Sequence, residues 1–174
     1  MNGHVLQLWR CNEYNKKYVG GKNGSISIRK RTHLSGGCKS RRRACASCWQ
    51  EDKKEYLFDG DPKYWKRHSP ILFPFVGGVK NKEYRYNGKT YTMTQHGFAR
   101  DMEFTLDSQT QDTLWFSIVS NETTMENYPF TFRLEVGYQL KGTEVTVLWN
   151  VINTRYKRNV IFQLVHTRHF SPVW

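Results

Sequence analysis

The sequence predicts an all-β protein built as an antiparallel two-sheet β-sandwich, and two features of residues 51–154 carry this prediction. The first is a hairpin signal in which two short runs flank Asn87-Gly88, because Asn-Gly supplies the two positive φ values of a type I′ turn. The second is alternation, since apolar residues recur at every second position in residues 130–138 and 144–152. This period of two places one side of a strand in a core.

The other elements of this middle region follow from local signals. Residues 83–86 and 89–93 are the strands of the hairpin, and residues 114–119 are a short apolar strand. Residues 121–127 are predicted to form one helical turn, with Ser120 or Asn121 as its cap. Tyr128-Pro129 ends that turn, because the residue before a proline avoids helical conformation. The predicted core includes three tryptophans: Trp65, Trp115 and Trp149.

Charge divides the chain into three zones, although its net charge of +12 at first suggests a nucleic-acid-binding protein. Residues 1–50 contain 11 basic residues (Lys and Arg) and one acidic residue, and residues 155–174 contain four basic residues and no acidic residue. Residues 51–154 contain 12 basic and 14 acidic residues. We therefore predict a sandwich domain at 51–154 between a basic, Cys-containing flank at 1–50 and a basic tail at 155–174. The even balance of the middle zone argues against a specific nucleic-acid partner.

Membrane and metal sites are not favoured by the sequence. No apolar run is long enough to span a bilayer, and the first twenty residues have no apolar segment of a signal peptide, so a cytoplasmic location without a membrane partner is expected. Cys45 and Cys48 form one C-x-x-C pair, but a zinc site normally needs a second pair, which Cys11 and Cys38 do not make. His166 and His169 lack neighbouring acids or cysteines. A nucleic-acid- or zinc-binding protein, defined by residues 1–50 and the run at 41–43, remains a less favoured alternative.

Three segments carry a resemblance to a known family. They are residues 54–74, the run from the Asn87-Gly88 hairpin into residues 96–101 (His-Gly-Phe-Ala-Arg-Asp), and the strand pair that ends at Asn153-Thr154. In this order they resemble the amino-terminal half of the aldose 1-epimerase (galactose mutarotase-like) family. The resemblance implies an incomplete galactose mutarotase-like supersandwich, with the sugar site on a concave sheet face.

The family's reaction, an isomerisation, interconverts the α and β anomers of an aldose. It needs a base for the anomeric hydroxyl and an acid for the ring oxygen, and no metal or organic cofactor. The resemblance implies that His96 helps to hold the sugar, an aldohexose or a derivative; the alternative is a turn histidine whose side chain is satisfied by backbone hydrogen bonds. It also makes Arg100 a second substrate-binding candidate, paired with Asp101 at the edge of the site, and the alternative for these two residues is a surface or structural ion pair. An Arg of the family pattern is replaced here by Gly78, so one expected substrate contact is either missing or supplied by another residue, such as Lys80 or Arg100.

Two neighbouring residues are more ambiguous. Arg67 and His68 lie beside Ser69-Pro70 at the predicted entry to a strand. We expect a structural role for both of them, with a place in the sugar site as the alternative.

Both catalytic groups are unassigned in this chain. The resemblance places the base, a Glu, near the carboxyl end of the family's full-length members, and the acid, a His, in a Gly-Ala-His-Pro-Ala-Phe segment. This chain has Val-His-Thr-Arg-His-Phe at residues 165–170, which a codon string for the family segment encodes when read one base later. We therefore predict that residues up to about 50, and beyond about 154, are translated out of frame, and that the chain is an inactive epimerase-family protein. The alternative is a non-catalytic carbohydrate-binding sandwich.

An incomplete sandwich would also have an open face. Unpaired strand edges and uncovered apolar side chains promote association between molecules, so we expect non-native self-association. The residues expected to be exposed on that face are Phe132, Leu134, Val147, Trp149 and Val151.

Overall fold

The computed structural model describes residues 4–10, 34–36, 46–48, 61–65, 67, 70–141, 144–155 and 159–166, the first three segments as backbone alone. Most of the regular structure is antiparallel strand, as the sequence predicts. The strands are β1 (His4–Arg10), β2 (Leu34–Gly36), β3 (Ala46–Cys48), β4 (Ile71–Leu72), β5 (Glu83–Tyr86), β6 (Lys89–Thr92), β7 (Thr105–Gln109), β8 (Thr113–Val119), β9 (Phe132–Lys141), β10 (Glu144–Asn153) and β11 (Val165–His166), with one α-helix, α1 (Glu122–Asn127).

The largest sheet has the strand order β1-β10-β9-β8-β7, and every neighbouring pair in it is antiparallel. The predicted alternation is confirmed. Alternate residues of β8, β9 and β10 pair across the strands on one face and are buried. This apolar face comprises Leu114, Phe116, Ile118, Phe132, Leu134, Val136, Tyr138, Val145, Val147, Trp149 and Val151.

The expectation of an open apolar face is wrong. The five residues predicted to be exposed there have between 0% and 6% of their surface accessible. Side chains from the connecting segments, among them Phe73, Met93 and Phe104, belong to the same apolar cluster. The Phe73 ring, for example, lies 4.9 Å from that of Phe132. The connections between the strands therefore cover the core face within this one chain.

Of the three tryptophans predicted to lie in the core, Trp149 alone is buried there. Trp65 and Trp115 are half-buried. Trp115 pairs with Gly137 on the opposite face of the sheet from the core, and its indole lies directly over that glycine.

The β5–β6 hairpin is confirmed, with φ values of 48° at Asn87 and 74° at Gly88 as a type I′ turn requires. A hydrogen bond connects the hairpin to α1, since the Tyr84 hydroxyl donates to the carbonyl of Asn127 at 2.7 Å. Burial, with a smaller contribution from Tyr91, raises the pKa of Tyr84 to about 12.

The short helix α1 is capped as the sequence predicts. The side chain of Asn121 accepts from the Thr124 backbone N–H, and the Thr124 hydroxyl accepts from the Asn121 N–H. The two residues thus satisfy each other's backbone donors at the first turn.

Parts of both predicted flanks have defined backbone. β1 pairs with β10, and β2 pairs with β3. In the tail, β11 pairs with β4, and the Tyr128 hydroxyl donates to the Ile161 carbonyl at 2.7 Å. The division into three zones and the out-of-frame origin of the flanks stay predictions. No helix in the described segments is long and apolar enough to cross a membrane.

Candidate functional site

The candidate site is built on a loop, residues 94–101, that is anchored by backbone hydrogen bonds to the carbonyls of Phe73 and Gly77. The backbone N–H groups of Phe98 and Ala99 both donate to the Phe73 oxygen at 3.1 Å. Gly97 lies against the same carbonyl with a φ of 71°, and a Cβ at this position would be 2.3 Å from that oxygen. Only glycine fits there, because the clashing atom belongs to the backbone and the φ is left-handed.

His96 is held in place by reciprocal hydrogen bonds with Gly77. The His96 N–H donates to the Gly77 carbonyl at 2.7 Å, and the Gly77 N–H donates to His96 Nδ1 at 2.9 Å. Its φ of 66° is left-handed, a conformation uncommon for residues other than glycine. Because Nδ1 accepts a hydrogen bond, the neutral ring carries its proton on Nε2. The half-buried imidazole therefore offers Nε2–H as a donor to a ligand.

Arg100 and Asp101 lie at the end of the same loop and form an ion cluster with Arg67. The Asp101 carboxylate contacts Arg67 Nη1 at 2.6 Å and Arg100 Nε at 3.4 Å. The structure thus brings Arg67, the predicted structural residue, into contact with the predicted pair at the edge of the site. His68 lies outside the described residues.

Gly78, which stands where the resemblance expects an Arg, follows the glycine that holds His96. A Cβ on Gly78 would meet nothing within 4 Å, so the backbone surroundings leave room for a Cβ at this position. Lys80 is exposed at the start of a short 3₁₀ segment, Lys80–Lys82. Arg100, the other candidate to replace the missing side chain, lies on the same loop as His96.

A second polar cluster, which the sequence analysis did not single out, lies on the outer face of the large sheet. Arg133 contacts Asp107 at 2.8 Å and Glu135 at 2.7 Å, and Asn150 donates to Glu135 at 2.9 Å. The hydrogen bond that Arg133 donates to Glu135, more than the nearby charge of Asp107, raises the pKa of Arg133. The alternation of β9 indicated an outward Arg133 and Glu135. The participation of Asp107 could not be predicted in this way, because it lies at a shift in pairing register between Leu106 and Ser108 that the sequence pattern does not indicate.

The part of the chain that the structure describes contains no group of three His, Cys, Asp or Glu side chains arranged to bind a metal. The side chains of the four cysteines, of His166 and of His169 lie outside the described residues. The zinc alternative of the sequence analysis is therefore not tested.

Comparison with known proteins adds evidence independent of this geometry. The family model described as aldose 1-epimerase matches residues 44–169. The plasmid-encoded Protein LacX of Lactococcus lactis subsp. lactis is 34% identical over 115 residues, which is 63% of this chain and 38% of that protein. The chain thus spans well under half the length of this relative.

Solved structures give the same picture. A galactose mutarotase related enzyme from Lactobacillus acidophilus is 33% identical with a TM-score of 0.65, over 74% of this chain and 43% of that one. A galactose mutarotase-like protein from Lactobacillus casei is 35% identical with a TM-score of 0.68, over 77% of this chain and 46% of that one. Both similarities cover less than half of each solved chain.

Proposed function

Because the chain belongs to the aldose 1-epimerase family, we propose that its loop at residues 94–101 binds an aldose, with His96 as the principal contact. The observation that carries this proposal is the fixed imidazole. Its Nδ1 is occupied by the Gly77 N–H at 2.9 Å, which leaves Nε2–H as the donor. A neutral donor held in one orientation suits a sugar hydroxyl or ring oxygen, and pre-orientation lowers the entropy lost on binding.

In the proposed reaction of the whole protein, the bound aldose opens and recloses its ring. A base removes the proton of the anomeric hydroxyl, and an acid protonates the ring oxygen. His96 serves neither step in this proposal, since its Nδ1 is committed to the backbone. It holds the sugar, and Arg100 adds a second contact. The base and acid remain unassigned, so we propose that this chain binds sugar without measurable mutarotase activity.

The test compares two substitutions of His96. His96→Asn keeps a side-chain acceptor near the position of Nδ1 and tolerates a positive φ, but it removes the outward donor. His96→Ala removes both the side-chain acceptor and the outward donor. We expect calorimetric titration with galactose and glucose to show binding to the native chain and at least a tenfold weaker affinity in both variants. Thermal unfolding should separate them, with His96→Asn near native and His96→Ala less stable.

A gain-of-contact variant sharpens the proposal. Gly78→Arg introduces a guanidinium next to Gly77, the glycine that bonds His96, at a position where a Cβ would meet nothing within 4 Å. We expect it to raise sugar affinity several-fold in the native background and not in the His96→Asn background. Sugar binding that is unchanged by all three substitutions would place the site elsewhere and contradict the proposal.

The role of His96 as a donor, not a proton carrier, also favours the alternative of a non-catalytic carbohydrate-binding sandwich. Polarimetry on freshly dissolved α-glucose and α-galactose decides how far that alternative holds. A general acid or base contributes roughly 10²- to 10⁴-fold, so we expect the spontaneous rate with this chain. A faster rate that His96→Asn abolishes would show that the chain is itself a mutarotase.

A further inference from the structure

The tail segment at residues 159–166 lies against the turn that holds His96, which we call the Gly77 turn (residues 74–77). The tail strand β11 pairs antiparallel with β4. The same register continues two residues further towards the turn, where the Gln163 N–H donates to the Pro74 carbonyl at 2.8 Å. The tail thus reaches the turn by extending the pair of β4 and β11.

The next hydrogen bond of this ladder is replaced by another. In the same register Val76 would lie opposite Ile161, and its N–H would donate to the Ile161 carbonyl. That carbonyl accepts instead from the Tyr128 hydroxyl at 2.7 Å. The Val76 N–H donates to the side-chain Oε1 of Gln163 at 3.0 Å. Gln163 therefore binds the turn twice, through its backbone at Pro74 and through its side chain at Val76.

Packing does little to fix the Gly77 turn. Among the described residues, a Cβ on Gly77 or Gly78 would meet nothing within 4 Å, and Val76 is exposed. Gly77 also has a φ of 83°, and glycine has more backbone freedom than any other residue. The conformation of the turn therefore depends on its hydrogen bonds.

The hydrogen bond to Gln163 is one residue away from the one that orients His96. The Val76 N–H donates to Gln163, and the next N–H, that of Gly77, donates to His96 Nδ1 at 2.9 Å. Because each peptide unit is planar, only the two backbone dihedrals of Val76 separate these two donors. A displacement of the first donor is therefore passed to the imidazole through a single residue.

We propose that Gln163 is a positioning residue for His96, because it fixes the Gly77 turn and so keeps Nδ1 bonded and Nε2–H available to a ligand. Its effect on affinity rests on the proposed function, since the ligand is the sugar held at His96. Gln163 acts through Val76 and Gly77 and makes no contact with the sugar itself. It belongs to the tail that the sequence predicts to be out of frame, so part of that tail contributes to the site.

The first test observes the free protein, without sugar, by nitrogen NMR of the His96 ring and by amide hydrogen exchange at Gly77. Gln163→Ala removes the side-chain acceptor and should weaken the bond between Gly77 and Nδ1. We expect the Nδ1 signal to move towards that of an unbonded nitrogen. The Gly77 N–H should exchange about two- to tenfold faster, the range expected for the net loss of one hydrogen bond. Gln163→Glu keeps a side-chain oxygen and should restore both native values.

Tyr128→Phe is the matched control, because it removes a different hydrogen bond of the tail, the one to the Ile161 carbonyl, and leaves those of the turn in place. It should lower the free energy of unfolding without moving the Nδ1 signal of His96. The inference is overturned if Gln163→Ala leaves the Nδ1 signal and the Gly77 exchange rate at their native values. It is also overturned if Tyr128→Phe changes both equally, since the tail would then act on stability alone.

Calorimetric titration with galactose and glucose separates this inference from the proposed function. We expect Gln163→Ala to weaken sugar binding several-fold and Gln163→Glu to restore it. If His96→Asn weakens binding while Gln163→Ala alters neither the affinity nor the Nδ1 signal, this inference fails and the proposed function stands. If Gln163→Ala moves the Nδ1 signal but no sugar binds through His96, Gln163 positions the ring and the proposed function fails.

Discussion

The site loop at residues 94–101 and the sheet of β8, β9 and β10 are stabilised in different ways. The sheet is held by apolar side chains that alternate along each strand and share one buried face, an arrangement in which one side chain can adjust to its neighbours. The loop is held by backbone hydrogen bonds to the carbonyls of Phe73 and Gly77, and two of its residues have positive φ. Strained backbone of this kind often positions functional groups.

Two glycines show the difference directly. A Cβ on Gly97, in the loop, would meet the Phe73 carbonyl oxygen at 2.3 Å, whereas one on Gly137, in the sheet, would meet the Trp115 ring at 2.8 Å. A backbone carbonyl that accepts two hydrogen bonds cannot move away, but a half-buried indole can. The loop should therefore tolerate substitution far less than the sheet does.

The largest effect is expected for Gly97→Ala. The left-handed φ of 71° costs an alanine about 1–3 kcal/mol, and the clash with the Phe73 carbonyl adds to this. We expect a total loss of more than about 4 kcal/mol, or no folded protein, in urea unfolding. Gly88→Ala is the control, since it has a φ of 74° with nothing within 4 Å and should show the conformational cost alone. Equal losses of unfolding free energy in the two variants would mean that the loop moves to relieve the clash at no measurable cost.

A smaller effect is expected for Gly137→Ala. The added methyl group forces the Trp115 ring to shift, and overpacking of this kind typically costs about 1–3 kcal/mol. In a Trp115→Leu background the obstacle is absent, so the same substitution should cost little or nothing. Urea unfolding of the four chains forms a double-mutant cycle. A cost that persists without the indole would show that something other than Trp115 excludes a side chain at Gly137.

The sheet could be predicted from the sequence because apolar residues alternate regularly along its strands. Alternation around Leu134 and Trp149 identified the buried face, and Asn87-Gly88 identified the hairpin. The side chains that cover the buried face could not be predicted, because Phe73 and Phe104 come from segments without a periodic pattern. In the loop, the family resemblance indicated His96 and Arg100, but the pairing of Nδ1 with Gly77 depends on a contact between residues 19 positions apart.

The smallest effect is expected at α1, where the contacts are local and easily replaced. Asn121→Ala removes the side chain that accepts from the Thr124 N–H at 2.9 Å, and loss of such a cap costs about 1 kcal/mol. Asn121→Asp keeps an acceptor and should be close to native. If chemical denaturation shows the same loss for both variants, the capping interaction is not what stabilises this turn.

The central claim, that His96 presents Nε2–H to a sugar, is tested most directly by nitrogen NMR of the imidazole. The His96 signals can be assigned by their loss in His96→Asn. We predict a neutral ring protonated on Nε2 in the free protein, and on titration with an aldose a shift of Nε2 with little change at Nδ1, which stays bonded to Gly77. A ring protonated on Nδ1, or an Nε2 signal that does not move while sugar binds, would contradict the account.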